Sequence, residues 1–390
     1  MSQFPDEQGS DGAFERQPDE FRNWVSTPEA GRYHLYVCKA CPWAHRAWLT
    51  RNLMGLDEAI SVNFVDPIRD HETGWAFREG EGHGLDDIEG FGYLSEAYFK
   101  TNPNFKGRIT VPVLWDKQEK KIINNSEDDI IEMWAGVFKP LAKHPVELFP
   151  EDIKSEQAAL SLEIYENVNN GVYTAGFASS QAAYEEGYNK LFDTLEKMEA
   201  RLAAGGPFLF GDRIVETDYR LFCSLVRFDA VYFGHFKCNK KQIRDYPALQ
   251  AFLEAVYDSP GVKETVNMDH IKRHYYFTHD DINPVLQVIA GCSSEVGWRA
   301  LFQGSVLYGN RGRRFRFGRL RDGEGSRRTL CCDGGRGKID SRESLGPLDG
   351  FAEEVVWREI VQPALSTRAE FASGFLQFYQ HPVLRDDRVA

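Results

Sequence analysis

The sequence predicts an α/β domain, an all-α domain and an arginine-rich tail, one after another along the chain. Aromatic and β-branched runs alternate with helical patterns in the first part, and helical spacing alone occupies the second. The Arg-to-Lys ratio then changes abruptly, with 15 Arg and 1 Lys from Leu286 onward against 14 Arg and 16 Lys before it. The expected parts are an N-terminal arm (1–31), the α/β domain (32–150), the all-α domain (151–284) and the tail (285–390).

Composition and charge exclude several classes of protein. The chain has 390 residues, 42% of them hydrophobic and 27% charged, which is typical of a globular protein with two or three domains. The net charge of −13 disfavours nucleic-acid binding, and no apolar run reaches the ~20 residues of a membrane helix. Seven cysteines, an odd number, do not make a disulfide scaffold, and the acidic N-terminus resembles no targeting peptide. We therefore expect a cytoplasmic protein.

The elements of the α/β domain follow one another in a characteristic order. A strand leads to a helix with Pro42 in its first turn, then come a second strand and a hairpin, and a last helix begins at Asn124, Asn125 or Ser126. The strands are expected at residues 33–38, 60–66, 110–116 and 121–123. The order β-α-β-loop-β-β-α is that of a thioredoxin-like domain.

The all-α domain is predicted from apolar residues at helical spacing. A long helix is indicated by Leu191, Leu195, Met198 and Leu202, and the Gly-Gly-Pro sequence that starts at Gly205 ends it. A thioredoxin-like half followed by a helical half resembles the plan of a glutathione transferase.

Cys41 is the predicted nucleophile. It lies at a strand-to-helix turn and Pro42 follows it, so its sulfur is expected to face the N-terminal N–H groups of a helix. This end of the helix dipole stabilises a thiolate and should lower the pKa of the Cys41 thiol. Cys38 and Cys41 also form a C-x-x-C pair, which leaves a resolving role for Cys38 open. In thioredoxins, however, the first cysteine of the pair begins the helix, whereas here the second one does.

The segment from Cys41 to Arg46, Cys-Pro-Trp-Ala-His-Arg, resembles the active-site sequence of the glutathionyl-hydroquinone reductases, the Xi class of glutathione transferases. Further matches follow in the family's order at residues 74–75, 107–116, 167–173, 226–232, 234–239 and 270–276. The resemblance implies an all-α glutathione-transferase domain after the thioredoxin-like one, glutathione as co-substrate, and a homodimer. It covers residues 20–284 and therefore does not extend to the tail.

Five residues are expected to bind glutathione. A proline before a strand of this fold is usually cis, which leaves the backbone of Val111 free to pair with an extended peptide. The resemblance implies Trp75 and Arg108 as clamps on glutathione. Ser126 and Glu127 open a helix, where the γ-glutamyl carboxylate and ammonium can bind. The family has Glu before Ser at this point and the chain has the reverse, so the individual roles of the two stay open.

The resemblance also implies an acceptor pocket and an activity. Tyr173, Tyr275 and Tyr276 resemble the tyrosines that hydrogen-bond the phenolic ring, with Cys41 forming a mixed disulfide with the glutathionyl group. No H-E-x-x-H motif or paired C-x-x-C motif is present, so no metal is expected. Two alternatives remain: an Omega-like thioltransferase or dehydroascorbate reductase, and a glutathione-binding protein without turnover.

The tail is expected to be largely disordered. Little apolar surface is organised in it to offset the ~1–2 kcal/mol per residue that ordering the backbone costs. Its composition fits translation of a wrong reading frame or a retained intron, and it also fits a genuine appended segment. We expect truncation after Pro284 to preserve both fold and activity.

Overall fold

The structure is a computed structural model that describes residues 7–288. The prediction of a disordered tail therefore concerns a region that, apart from residues 285–288, lies outside the described residues. Four strands and nine α-helices form the described part. They are β1 (Tyr33–Val37), α1 (Pro42–Leu53), β2 (Ile60–Phe64), α2 (Ser95–Thr101), β3 (Val113–Asp116), β4 (Lys121–Asn124), α3 (Glu127–Ala135), α4 (Lys154–Ile164), α5 (Gly171–Gly176), α6 (Gln181–Gly205), α7 (Glu216–Arg227), α8 (Pro247–Tyr257) and α9 (Met268–Thr278).

The four strands form one mixed sheet in the order β2-β1-β3-β4. β1 is parallel to β2 and antiparallel to β3, and β3 and β4 form the expected hairpin. All five side chains of β1 are buried, which agrees with its near-continuous apolar sequence and its central place in the sheet. The predicted thioredoxin-like arrangement is confirmed.

Helix α1 joins the two halves of the described chain. Its residues pack against α3 on one side and α7 on the other, so most of α1 is buried. The indole Nε1 of Trp134 in α3 donates to the carbonyl of Ala47 in α1 at 3.0 Å. This packing holds the start of α1, and with it Cys41, against the helical domain.

Two five-residue π-helical turns interrupt the helices of the second half, at Tyr165–Asn169 and Phe228–Tyr232. The first links α4 to α5, and the second continues α7. Hydrophobic spacing does not reveal the extra residue of a π-turn, so the sequence pattern indicated neither of them. π-turns are frequent at functional sites, and these two lead to Tyr173 and carry Tyr232.

The N-terminal arm has more apolar anchors than its polar sequence suggested. Phe14, Phe21 and Val25 are all buried in the shared core. Asn23 N–H donates to the carbonyl of Ile123 at 3.1 Å, so the arm runs along the edge strand β4. The arm is thereby held beside the start of α3. Within residues 7–288, no helix is both long and apolar enough to cross a bilayer.

Candidate active site

Cys41 is the N-cap residue of α1, as the sequence predicted. Its carbonyl accepts the N–H of His45 at 2.9 Å, the first bond of the helix. Its side chain is buried, and the thiol Sγ donates to the carbonyl oxygen of Val111 at 3.7 Å. The peptide bond between Val111 and Pro112 is cis, as expected. The predicted nucleophile and the predicted peptide-binding residue are therefore in contact.

The pKa of the Cys41 thiol is shifted in the opposite direction to the expected one. Burial raises it, while the N–H groups of Ala44 and Trp43 and the charge of Arg227 lower it by less. The helix terminus acts as the sequence implied, but the pattern gave no information on the depth of burial. Desolvation of the thiolate therefore outweighs the helix dipole at Cys41.

Cys38 has a different environment from Cys41. It is fully buried at the end of β1, and burial raises the pKa of its thiol to about 12. A thiol with this pKa is protonated at neutral pH and is a poor nucleophile. The geometry therefore favours Cys41 over Cys38 for reaction with a substrate.

A cavity of about 330 Å³ lies between the sheet domain, the arm and the first π-turn; Trp43 and Val111 line it, whereas Cys41 itself does not. Of the residues expected to bind glutathione, Arg108, Val111 and Glu127 line it. The arm supplies six further lining residues, Glu7, Arg16, Gln17, Pro18, Asp19 and Glu20. Burial and the charge of Glu127 raise the pKa of the Asp19 carboxyl to about 7. The cavity thus has charged groups of both signs, which suits a zwitterionic peptide.

Arg108 contacts the arm as well as the cavity. Its Nη1 donates to Oε2 of Glu7 at 2.6 Å, and its backbone N–H donates to Oε1 of Gln17 at 3.2 Å. Glu7 is 2% exposed, so this is a buried ion pair between the arm and the loop before β3. The arm therefore sets the position of Arg108.

Glu127 and Ser126 occupy different places at the start of α3. Glu127 lines the cavity and pairs through Oε1 with Nη2 of Arg46 at 3.1 Å. Burial and the charge of Asp128 raise the pKa of the Glu127 carboxyl. Ser126 is the buried N-cap residue, its backbone N–H donates to Oδ1 of Asn124 at 2.8 Å, and it is not among the cavity-lining residues.

Trp75 does not line the cavity either. It is buried and stacks on the imidazole of His274, with ring centroids 5.2 Å apart. His274 Nδ1 lies 2.7 Å from the carbonyl oxygen of Pro67. Trp75 is thus part of the contact between the sheet domain and α9.

Three tyrosine hydroxyls meet in the helical domain. The hydroxyl of Tyr275 lies 2.6 Å from that of Tyr173 and 3.1 Å from that of Tyr232. Trp43, two residues after Cys41, stacks on Tyr173 with ring centroids 6.3 Å apart. Tyr276 is not part of this cluster, because its hydroxyl donates to the carbonyl of Ala230 at 3.0 Å. The structure therefore joins Tyr173 and Tyr275, and Tyr232 supplies the third hydroxyl.

Known proteins share both halves of this arrangement. The family model for the glutathione S-transferase N-terminal domain matches residues 40–135, and the one for the C-terminal domain matches residues 181–255. The chain is 43% identical to glutathionyl-hydroquinone reductase PcpF of Sphingobium chlorophenolicum over 72% of its own length and 90% of that protein. The crystal structure of glutathione-S-transferase Xi from Phanerochaete chrysosporium matches with a TM-score of 0.71 and 41% identity, over 73% of this chain and 94% of that one.

The chain belongs to the Xi class of glutathione transferases. The glutathione-bound structure of YqjG, a glutathione transferase homolog from Escherichia coli K-12, also matches, with a TM-score of 0.69 and 40% identity over 71% of this chain and 94% of that one. The resemblance to the Xi class is therefore confirmed. The predicted succession of a thioredoxin-like domain and an all-α glutathione-transferase domain is confirmed as well. In the described part of this Xi-class chain, no cluster of three or more His, Cys, Asp or Glu residues could hold a metal ion.

Sequence reasoning on this Xi-class chain missed three residues of the site. Tyr232 is part of the motif at residues 226–232, but helical spacing alone classes it with the core. Arg227 of the same motif is fully buried and donates through Nε to the carbonyl of Ala40 at 2.8 Å. Arg16 belongs to the arm, which showed no chemical motif. Only contacts between segments far apart in sequence identify these three.

Proposed function

We propose that the chain reduces glutathionyl-hydroquinones to hydroquinones, with Cys41 as the nucleophile and glutathione as the reductant. The observation that carries the proposal is the position of a tyrosine hydroxyl cluster next to a helix-capping cysteine. Trp43 links the two, since it follows Cys41 by two residues and stacks on Tyr173. The relative PcpF, which is 43% identical, is named a glutathionyl-hydroquinone reductase. This name supports the same assignment here.

Glutathione fits the charged cavity as an extended peptide with two carboxylates and one ammonium. We assign its cysteinyl backbone to Val111, one carboxylate to Arg108 and the ammonium to Glu127, all of which line the cavity. We also propose contacts of glutathione with Trp75 and Ser126, although neither residue lines the cavity. A backbone N–H of glutathione would also donate to the carbonyl of Val111. The Cys41 thiol would then lose its hydrogen bond to that carbonyl and become free to react.

The first half-reaction breaks the bond between the ring and the glutathionyl sulfur. The Cys41 thiolate attacks that sulfur in the keto tautomer of the hydroquinone, forming a Cys41–glutathione disulfide. The electron pair of the C–S bond passes into the ring, which leaves as a phenolate and takes a proton. Tyr173, Tyr232 and Tyr275 can supply hydrogen bonds and that proton, because burial raises the pKa of all three and keeps them protonated.

The second half-reaction restores the enzyme. A second glutathione thiolate attacks the glutathionyl sulfur of the mixed disulfide, releasing glutathione disulfide and the Cys41 thiolate. The sum is one glutathionyl-hydroquinone and one glutathione converted to one hydroquinone and one glutathione disulfide. The reaction needs no second protein cysteine, which agrees with the full burial of Cys38.

Two other functions would use only part of the same site. An Omega-like thioltransferase or dehydroascorbate reductase would use Cys41 but has no use for three joined tyrosine hydroxyls. A protein that only binds glutathione would not need a cysteine at the helix N-cap. The hydroxyl cluster therefore favours a phenolic acceptor, and Cys41 favours turnover.

We further propose a homodimer in the cytoplasm. The four cysteines of the described residues are all free thiols, Cys38, Cys41, Cys223 and Cys238, as expected in a reducing compartment. The dimer is proposed from family membership, and light scattering coupled to size-exclusion chromatography tests it. A monomeric mass at micromolar concentration would contradict it.

The deciding experiment is an assay of the purified full chain with a synthetic glutathionyl-hydroquinone and glutathione. We expect release of the free hydroquinone together with one equivalent of glutathione disulfide, followed by chromatography. Turnover of dehydroascorbate or a simple glutathione mixed disulfide without hydroquinone release would favour the thioltransferase alternative. Glutathione binding without any turnover would favour the non-enzymatic one.

A further inference from the structure

Arg16 of the N-terminal arm is a charged group in the site that neither the family motifs nor the matched domain segments include. It lines the cavity. Its guanidinium carbon lies 4.8 Å from the ring centroid of Tyr173 and 5.0 Å from that of Trp43. Arg16 is therefore over the two rings that join Cys41 to the tyrosine hydroxyl cluster.

One nitrogen of the Arg16 guanidinium has a hydrogen-bond acceptor in the described part of the chain, and another has none there. Its Nε donates to Oδ1 of Asn170 at 2.8 Å, but Nη2 is buried and has no acceptor among residues 7–288. Across the same range, no carboxylate lies within ion-pair distance of Arg16. The second arm arginine, Arg22, differs in this respect, since it forms an ion pair with Asp129. A buried guanidinium donor without an acceptor is costly unless a ligand supplies one.

The ligand atom that meets Arg16 is inferred from its neighbours. Tyr173, on which Arg16 packs, shares a hydroxyl contact with Tyr275 on the acceptor side of the site. When the C–S bond of the keto tautomer breaks, the electron pair moves into the ring and one ring oxygen becomes a phenolate. A guanidinium at that oxygen stabilises the charge as it develops.

We propose that Arg16 binds a ring oxygen of the acceptor and stabilises its negative charge in the transition state. The inference rests on the proposed function, because it assigns a partner to the phenolate that this reaction releases. It makes the N-terminal arm a part of the acceptor site. The competing partner for Arg16 is a carboxylate of glutathione itself.

The test compares Arg16→Met, Arg16→Lys and the wild-type full chain on two substrates. One is a glutathionyl-hydroquinone, and the other is the mixed disulfide of glutathione and 2-mercaptoethanol, which has no ring oxygen. We expect Arg16→Met to lower kcat/KM for the hydroquinone about 10- to 100-fold, the effect of losing one charge-assisted hydrogen bond. Arg16→Lys should recover most of the loss, and turnover of the mixed disulfide should change by less than about twofold.

Arg22→Met is the matched control, because it removes an arm arginine that is already paired. It should leave the ratio of the two kcat/KM values unchanged, and melting temperatures check that each variant folds. Equal losses on both substrates, or no loss on either, would contradict the assignment. Weaker glutathione binding by Arg16→Met in calorimetry would assign Arg16 to a glutathione carboxylate instead. A wild-type protein that turns over only the mixed disulfide would contradict the proposed function, which separates that failure from the others.

Discussion

The two sides of the site differ in how they use charge. The proposed glutathione side is built from the sheet domain and the arm, and its cavity has carboxylates and guanidinium groups, including Glu7, Arg108 and Glu127. Apart from the proposed contact of Arg16, the proposed acceptor side is built from the helical domain and presents aromatic rings and the joined hydroxyls of Tyr173 and Tyr275. Charged groups suit a zwitterionic tripeptide. Buried neutral hydroxyls stay protonated and can therefore donate hydrogen bonds to a ring oxygen. We therefore expect substitutions on the glutathione side to lower glutathione affinity, and substitutions on the acceptor side to lower kcat.

The largest effect is expected at Cys41, which both sides share. Cys41→Ser should abolish hydroquinone release while glutathione affinity stays nearly unchanged, because a serine cannot form the mixed disulfide. Mass spectrometry of the wild-type protein should find the glutathione adduct on Cys41 and none on Cys38. Cys38→Ser is the control and should retain activity. An active Cys41→Ser protein would contradict the mechanism.

Next in size is the loss of a hydroxyl on the acceptor side. Tyr275→Phe should lower kcat for a glutathionyl-hydroquinone roughly 100-fold, the range typical of a lost general acid or donor. Calorimetry should show an unchanged glutathione Kd, since Tyr275 lies outside the charged cavity. Tyr276→Phe is the matched control, because its hydroxyl bonds to the carbonyl of Ala230. Equal losses of kcat in the two variants would contradict the assignment of Tyr275 to the acceptor side.

A smaller effect is expected on the glutathione side. Glu127→Gln should weaken glutathione binding by about 10- to 100-fold, since a charge-assisted hydrogen bond is worth about 1.5–3 kcal/mol. Ser126→Ala should cost about fivefold or less, because a neutral hydrogen bond is worth ~1 kcal/mol. Titration calorimetry of both variants measures the difference. Losses of the same size would show that Glu127 does not hold the ammonium alone.

Arg227 donates to the carbonyl of Ala40, next to Cys41. Its replacement should shift the pH dependence of Cys41 reactivity. Its charge lowers the pKa of Cys41, so in Arg227→Met the thiolate should form only at higher pH. The rate of Cys41 alkylation should therefore rise at a higher pH than in the wild type. Arg51→Met is the control, since Arg51 is likewise buried and donates to a backbone carbonyl, that of Ile60 at 2.7 Å. A profile that does not move would show that Arg227 only supports the loop.

The smallest effect is expected from truncation after Pro284. Every residue assigned to either side of the site precedes that position, as do all the helices and strands of the described residues. We expect a change in melting temperature below about 2 °C and unchanged turnover. Differential scanning calorimetry and the hydroquinone assay measure both. A large loss would make the region after Pro284 part of the enzyme.

Local patterns were sufficient for the order of the elements, the place of Cys41 at a helix N-terminus and the cis bond before Pro112. A strand, a proline and a helix follow one another around Cys41, and each is decided by neighbouring residues. The tyrosine cluster was predicted only in part, since Tyr232 replaces Tyr276 in it. Adjacent tyrosines on one helix point in different directions, and the π-turn at Phe228–Tyr232 rotates a further side chain into the site. Neither effect can be seen in residue spacing.

The sequence by itself determined the two-domain plan, the family and Cys41, because these depend on residues close together in the chain. The tertiary structure decided which charges are paired and which are not. Arg22 and Arg108 have carboxylate partners, whereas Nη2 of Arg16 has no acceptor among the described residues. It also decided that burial raises the pKa of the Cys41 thiol. Pairing and desolvation depend on segments that meet only in the folded chain, and no local pattern encodes them.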